Sequence, residues 1–114
     1  MPQDVHPKPS LPDTPTMGDY QRFVHGMEAY HGWLDVDLIH NCFLMGEEVG
    51  ELFKAIRRYE KYFAKPKETD CREEVAEEIV DVFNYLCALA NRLDIDIDAA
   101  FRQKNTRNLE RRWD

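Results

Sequence analysis

Leu38, Cys42, Met45, Val49, Leu52 and Ile56 recur at alternating steps of four and three. A second row, Val75, Ile79, Val82, Leu86, Leu89 and Leu93, repeats the pattern. That spacing places each row on one face of an α-helix, and no strand produces it. Two amphipathic helices of about six turns each are therefore expected, over about 37–59 and about 71–93. A shorter row, Tyr20, Phe23, Val24 and Met27, predicts a helix from Asp19 to about Tyr30, which the HGWLD stretch ends. The DIDID run at 94–98 offers N-cap residues for a last helix reaching about Arg112. No alternation of period two runs for a useful length. The expected fold is all-α, an antiparallel four-helix bundle completed by oligomerisation.

Five of the six prolines fall in residues 1–15, a stretch with almost nothing apolar. Such a segment buries too little surface to offset the entropy of ordering it. Residues 1–18 are read as a flexible proline-rich arm, or one draped over a partner subunit, and 19–114 as a single helical domain. A chain of 114 residues has a modest core, which small helical domains often enlarge by self-association. Gly46 and Gly50, four apart on the side of the second helix away from its stripe, permit close helix approach, and Phe43 shares that side. A homodimer or homotetramer is expected.

The 22 acidic residues outnumber the 15 basic ones, for a net charge of −7. A general nucleic-acid coat is thereby disfavoured, since displacing counterions needs a basic surface. A small anionic ligand is not, because a divalent cation inverts local charge. Cys42, Cys71 and Cys87 form no CxxC or zinc spacing; Cys42 and Cys87, set among apolar neighbours, read as buried hydrophobes. The start has no apolar signal region, and no run is long enough to span a bilayer. A reducing, cytoplasmic location is expected, with no membrane partner.

Chemistry enters with four carboxylates. Glu48 and Glu51 are three apart in GEEVGEL, and Glu78 and Asp81 three apart in EEIVDV. Residues three apart sit on adjacent turns of one face. Relative to Met45, Glu48 lies about 60° and Glu51 about 120° to one side. Relative to Val82, Glu78 is about 40° off and Asp81 about 100°. Both pairs flank the packing seam, whereas Glu47 and Glu77 fall about 160° and 140° away. Glu74, one turn before Glu78, stays near the acidic edge as a further ligand or a supporting group. Four converging carboxylates repel unless a hard cation is present, and magnesium suits such a set with waters and phosphate oxygens. Most charge runs are merely solvated faces, but two matched pairs beside two apolar seams argue otherwise. A di-iron centre is disfavoured because no His follows these glutamates at the Glu-x-x-His spacing.

The motif EExxE followed by ExxD, at Glu47-Glu48-Val49-Gly50-Glu51 and Glu78-Ile79-Val80-Asp81, resembles that of the MazG-like all-α nucleoside triphosphate pyrophosphohydrolases. Their relatives include dimeric dUTPases, dCTP pyrophosphatases and phosphoribosyl-ATP pyrophosphohydrolases. The resemblance extends from about Asp19 to Trp113 and includes a third motif, Lys-x-x-x-Asn-x-x-Arg, at Lys104, Asn108 and Arg111. Steps of four and three put these on one helical face, with two cations and an amide suited to phosphate or sugar. The resemblance implies Mg2+, with Mn2+ as a substitute, on Glu48, Glu51, Glu78 and Asp81. It also implies a nucleoside triphosphate substrate cleaved between its α and β phosphates. Glu47 or Glu51 is the candidate general base, although helical geometry turns Glu47 away. Tyr85, Trp33 and, more weakly, Phe23 and His31 are candidate substrate contacts, and Lys61 or Lys65 would join Lys104 and Arg111 on the leaving pyrophosphate. Two rival readings are a phosphoribosyl-ATP pyrophosphohydrolase and a non-catalytic helical interaction module.

Overall fold

The structure, a computed structural model, describes residues 6–60 and 71–112. Four helices occupy them: α1 (Met17–His31), α2 (Leu38–Tyr59), α3 (Cys71–Arg92) and α4 (Ile97–Glu110). No strand occurs among the described residues, so the chain is all-α. No described helix is long and apolar enough to cross a membrane. Lys61 and Lys65 lie outside the described residues.

Short polar side chains set the helix starts. Thr16 caps α1 in a reciprocal box with Asp19: the Asp19 N–H donates to Thr16 Oγ1 at 3.2 Å, and the Thr16 N–H to Asp19 Oδ2 at 2.8 Å. That backbone hydrogen bond, with Arg22 beside it, holds the Asp19 carboxyl below the usual carboxylate range. Asp37 and Asp96 cap α2 and α4 by accepting from the His40 and Ala99 N–H groups. Gly32, at φ 76°, ends α1 in the left-handed conformation that glycine adopts without strain.

Two compact units divide the chain. In the unit formed by residues up to Asp35 and from Ala90 onward, α1 packs on α4. Gln21 is buried and stitches this unit together. Its Nε2 donates to Asn91 Oδ1 and the Ile95 carbonyl, its Oε1 accepts from the Ile97 N–H, and its own carbonyl accepts from Asn91 Nδ2. Upstream of α1 the chain returns along it: Pro9 sits where any Cβ on Gly26 would collide, and Lys8 Nζ is 5.9 Å from the Tyr30 ring centroid.

In the unit 36–89, α2 and α3 run antiparallel, as the Arg58–Glu74 pair at 2.7 Å and the Glu48–Glu78 approach require. The buried face of α2 differs from the sequence expectation. Asn41 and Ala55 are buried and Glu48 is half-buried, whereas Cys42 and Ile56 are exposed. The buried face is thus turned about 60° from Met45, towards Glu48. Asn41 is tolerated there because its Nδ2 donates to the Val36 and Asp37 carbonyls. The expectation that Cys42 is buried is corrected; Cys87 is fully buried, and burial pushes its thiol up to about 11. The outer edges of both stripes stay open at Cys42 and Ile56 on α2 and at Ile79 and Leu86 on α3, and off the α2 stripe Phe43 and Phe53 are 73% and 66% exposed.

Candidate metal centre

Glu48 reaches the seam because it lies on the same face of α2 as Asn41 and Ala55. Glu78 and Asp81 come from adjacent turns of α3. One carboxylate oxygen of each of Glu48, Glu78 and Asp81 lies within 4.8 Å of the others. Glu48 and Glu78 are half-buried and Asp81 is exposed, so the cluster is open on one side. Glu51 is exposed and stands outside this triad, although its charge is felt at Glu48. Glu47 is exposed, on the side that helical geometry predicts.

The three carboxylates act on one another electrostatically. Burial, then the negative charges of Asp81 and Glu78, raise the Glu48 carboxyl above its ordinary value. Among the described residues, Glu78 Oε2 is the one buried side-chain oxygen or nitrogen left without a hydrogen-bond partner. An orphaned acceptor beside two more carboxylates is a costly arrangement for an empty fold and a suitable one for a hard divalent cation. The donor set is all oxygen, with no His or Cys, which favours magnesium or manganese over zinc. Glu74, entertained as a further ligand, accepts instead from Arg58 Nη1 at 2.7 Å.

Tyr85 is half-buried on α3, one turn after Asp81. Lys104 is exposed and Asn108 half-buried on α4, where Asn108 Nδ2 donates to Asn105 Oδ1 at 3.2 Å. Helix α4 stops at Glu110 rather than about Arg112, so Arg111 is its C-cap, with extended backbone. Trp33 follows the Gly32 turn, stacked on His31 with ring centroids 4.3 Å apart. A cleft of about 570 Å³ beside α1 is lined by Gln21, Arg22, His25 and Asp94, among others; its Gln21 and Asn91 are already bonded to each other and to backbone.

Sequence reasoning missed Glu28 and Arg92. Glu28 is buried on α1 and receives both guanidinium arms of Arg92, at 3.2 and 2.7 Å. One signal was present: Glu28 is four residues after Val24, on the apolar face of α1 rather than opposite it.

An all-α chain that brings three carboxylates together across an antiparallel helix pair presents an all-oxygen donor set of the kind a hard divalent cation takes. The model of the phosphoribosyl-ATP pyrophosphohydrolase family matches residues 32–108, which include the whole of the triad. The chain belongs to that family, and through it to the MazG-like all-α pyrophosphohydrolase superfamily. It is thereby placed among the pyrophosphohydrolases of nucleotide-like substrates. Comparison with curated proteins gave no match.

Proposed function

We propose that this protein hydrolyses nucleoside triphosphates between the α and β phosphorus atoms, releasing monophosphate and pyrophosphate, in a house-cleaning role in the cytoplasm. The observation that carries the reading is the Glu48–Glu78–Asp81 triad with its unpartnered Glu78 oxygen. These three residues would hold Mg2+, or Mn2+ in its place, and Glu51, one turn after Glu48, is the fourth donor. When bound, such a cation neutralises phosphate charge and lowers the pKa of a coordinated water. Glu51, with Glu47 as the second candidate, accepts the proton that the attacking water loses as its oxygen bonds to the α phosphorus and the α–β bridge breaks. Lys104 and Arg111 supply charge-assisted donors for the departing pyrophosphate, Asn108 an amide for phosphate or sugar, and Tyr85 a hydroxyl. Trp33 stacks on the base. The absence of CxxC spacing among Cys42, Cys71 and Cys87 agrees with a reducing compartment.

The same bond is broken in phosphoribosyl-ATP, and the family match favours that substrate as a second reading. A panel of standard and oxidised nucleoside triphosphates beside phosphoribosyl-ATP, with magnesium or manganese, scored for pyrophosphate release, separates the two. Turnover of several triphosphates supports the first reading, and turnover of phosphoribosyl-ATP alone replaces it. No pyrophosphate from any member would reject both.

We also infer that the chain works as a homodimer or homotetramer. Ile39, Phe43 and Phe53 share an exposed face of α2 with Gly46 and Gly50, where an added Cβ would meet nothing within 4 Å. An apolar face of that extent, on a chain whose largest fully buried side chain among the described residues is that of Cys87, calls for cover. Light scattering on the eluted protein at micromolar concentration checks this; a monomer mass removes it.

A further inference from the structure

His31, Gly32 and Trp33 make a corner at the end of α1. The Trp33 and His31 rings are stacked 4.3 Å apart and inclined by 20°, and Tyr30 meets His31 edge-on at 5.1 Å. Trp33 is nonetheless 49% exposed. About half of the indole is thus open, and an aromatic face at that exposure accepts offset stacking by a further ring.

The corner is held from beneath by an ion pair. Arg92 Nη2 donates to Glu28 Oε2 at 2.7 Å and to the Trp33 carbonyl at 3.2 Å, while Nη1 donates to Glu28 Oε1. The Trp33 N–H donates to the Glu28 carbonyl at 2.7 Å. Both polar ends of the Trp33 backbone are therefore tied to the same two residues. The pair is largely buried, at 16% and 7% side-chain exposure. A buried pair seldom adds stability over apolar residues of the same volume, so its value lies in geometry. A planar guanidinium reaches the carboxylate and the carbonyl together, which a Lys ammonium does not reproduce.

We propose that Glu28 and Arg92 are positioning residues for a nucleobase platform: their ion pair fixes the Trp33 backbone so that its ring, backed by His31, stacks on the aromatic base of the substrate. The inference rests on the nucleotide-substrate reading above. Stacking accepts every base, because each presents a π-face, so the platform confers affinity for an aromatic base over none.

The test uses the full chain carrying Trp113→Phe, which leaves Trp33 as the sole indole. Adenosine, cytidine and uridine are titrated without metal and tryptophan emission is followed, with ribose 5-phosphate as the ring-free control. Saturable quenching by each nucleoside and none by ribose 5-phosphate is expected. Arg92→Lys weakens nucleoside binding about tenfold, the size of one lost stacking contact, while the helical circular dichroism is kept. In turnover, the KM of that variant rises by the same factor and kcat is unchanged. If Arg92→Lys does not fold, Glu28→Gln, which keeps shape and one acceptor, takes its place. Unquenched parent emission, or a variant that binds nucleosides as the parent does, overturns the proposal. So does a fall in kcat at constant KM. Quenching requires neither metal nor bond cleavage. A chain that quenches without releasing pyrophosphate refutes the hydrolysis reading alone, and one that releases pyrophosphate without quenching refutes the platform alone.

Discussion

Glu28 and Glu78 are both acidic side chains drawn towards helix faces, and their surroundings treat them in opposite ways. Around Glu28 every charge is answered: two guanidinium arms reach its oxygens, and the neighbouring buried amide of Gln21 is bonded at both ends. Around Glu78 two further carboxylates lie within 4.8 Å, one of its oxygens has no hydrogen-bond partner, and Glu48 is pushed towards its protonated form. Burial without satisfaction is destabilising, so a fold that retains it is spending stability on a ligand. Polar groups that are already satisfied describe scaffold; those left unsatisfied describe where something else binds.

The largest expected effect breaks the unsatisfied side. Glu48→Gln and Asp81→Asn each remove one anionic oxygen donor, and loss of several kcal/mol of charge stabilisation lowers pyrophosphate release at least about a thousandfold. Both variants are expected to fold, and metal-free Glu48→Gln to melt no lower than the parent, because a carboxylate disfavoured when ionised has been made neutral. Retained turnover in either variant counts against the triad as a metal centre.

On the satisfied side the response is structural. Arg92→Met leaves Glu28 charged and unpaired in the interior, at a loss of about 3–5 kcal/mol. Adding Glu28→Leu removes the orphaned charge and restores most of that loss, as urea unfolding of the single and double variants would measure. If the single variant is as stable as the parent, Glu28 is not the satisfied charge that the contrast requires.

How much of this was legible without coordinates follows the same division. The helices were, because Asp37 and Asp96 announce their starts and the four-three spacing marks their length. The convergence of Glu48 with Glu78 and Asp81 was, since side-chain direction follows from helical phase. The exact face of α2 was not. The apolar row puts Met45 at its centre, but Asn41 and Glu48 hold the buried side while Cys42 and Ile56 are left outside. A hydrophobic row does not say which of its edges a partner covers, and here the row is wider than one chain's seam. The Glu28–Arg92 pair joins residues 64 apart in sequence. No local pattern links them.

The smallest expected effect sharpens the comparison through pH. In the metal-free fold the Glu48 carboxyl sits above its ordinary value, so the native state holds that proton more tightly than the unfolded chain does. Its contribution to stability is full below the unfolded value and is lost as pH rises through the raised folded value. The Glu48 carboxylate therefore weakens the metal-free protein more at neutral pH than in mild acid, where it takes up its proton. Magnesium binds that ionised form, and protons compete with it as pH falls. At a hundred times its dissociation constant a ligand stabilises by about 2.7 kcal/mol. The rise in Tm on adding magnesium is expected to be greatest at neutral pH and to shrink in mild acid, through the raised Glu48 range. In Glu48→Gln both the rise and its pH dependence diminish. Glu28 lies outside the triad and is paired with Arg92, so Glu28→Gln leaves the pH dependence of the magnesium shift intact. A shift equal at both pH values would mean that the cation, if it binds, is not held by the triad.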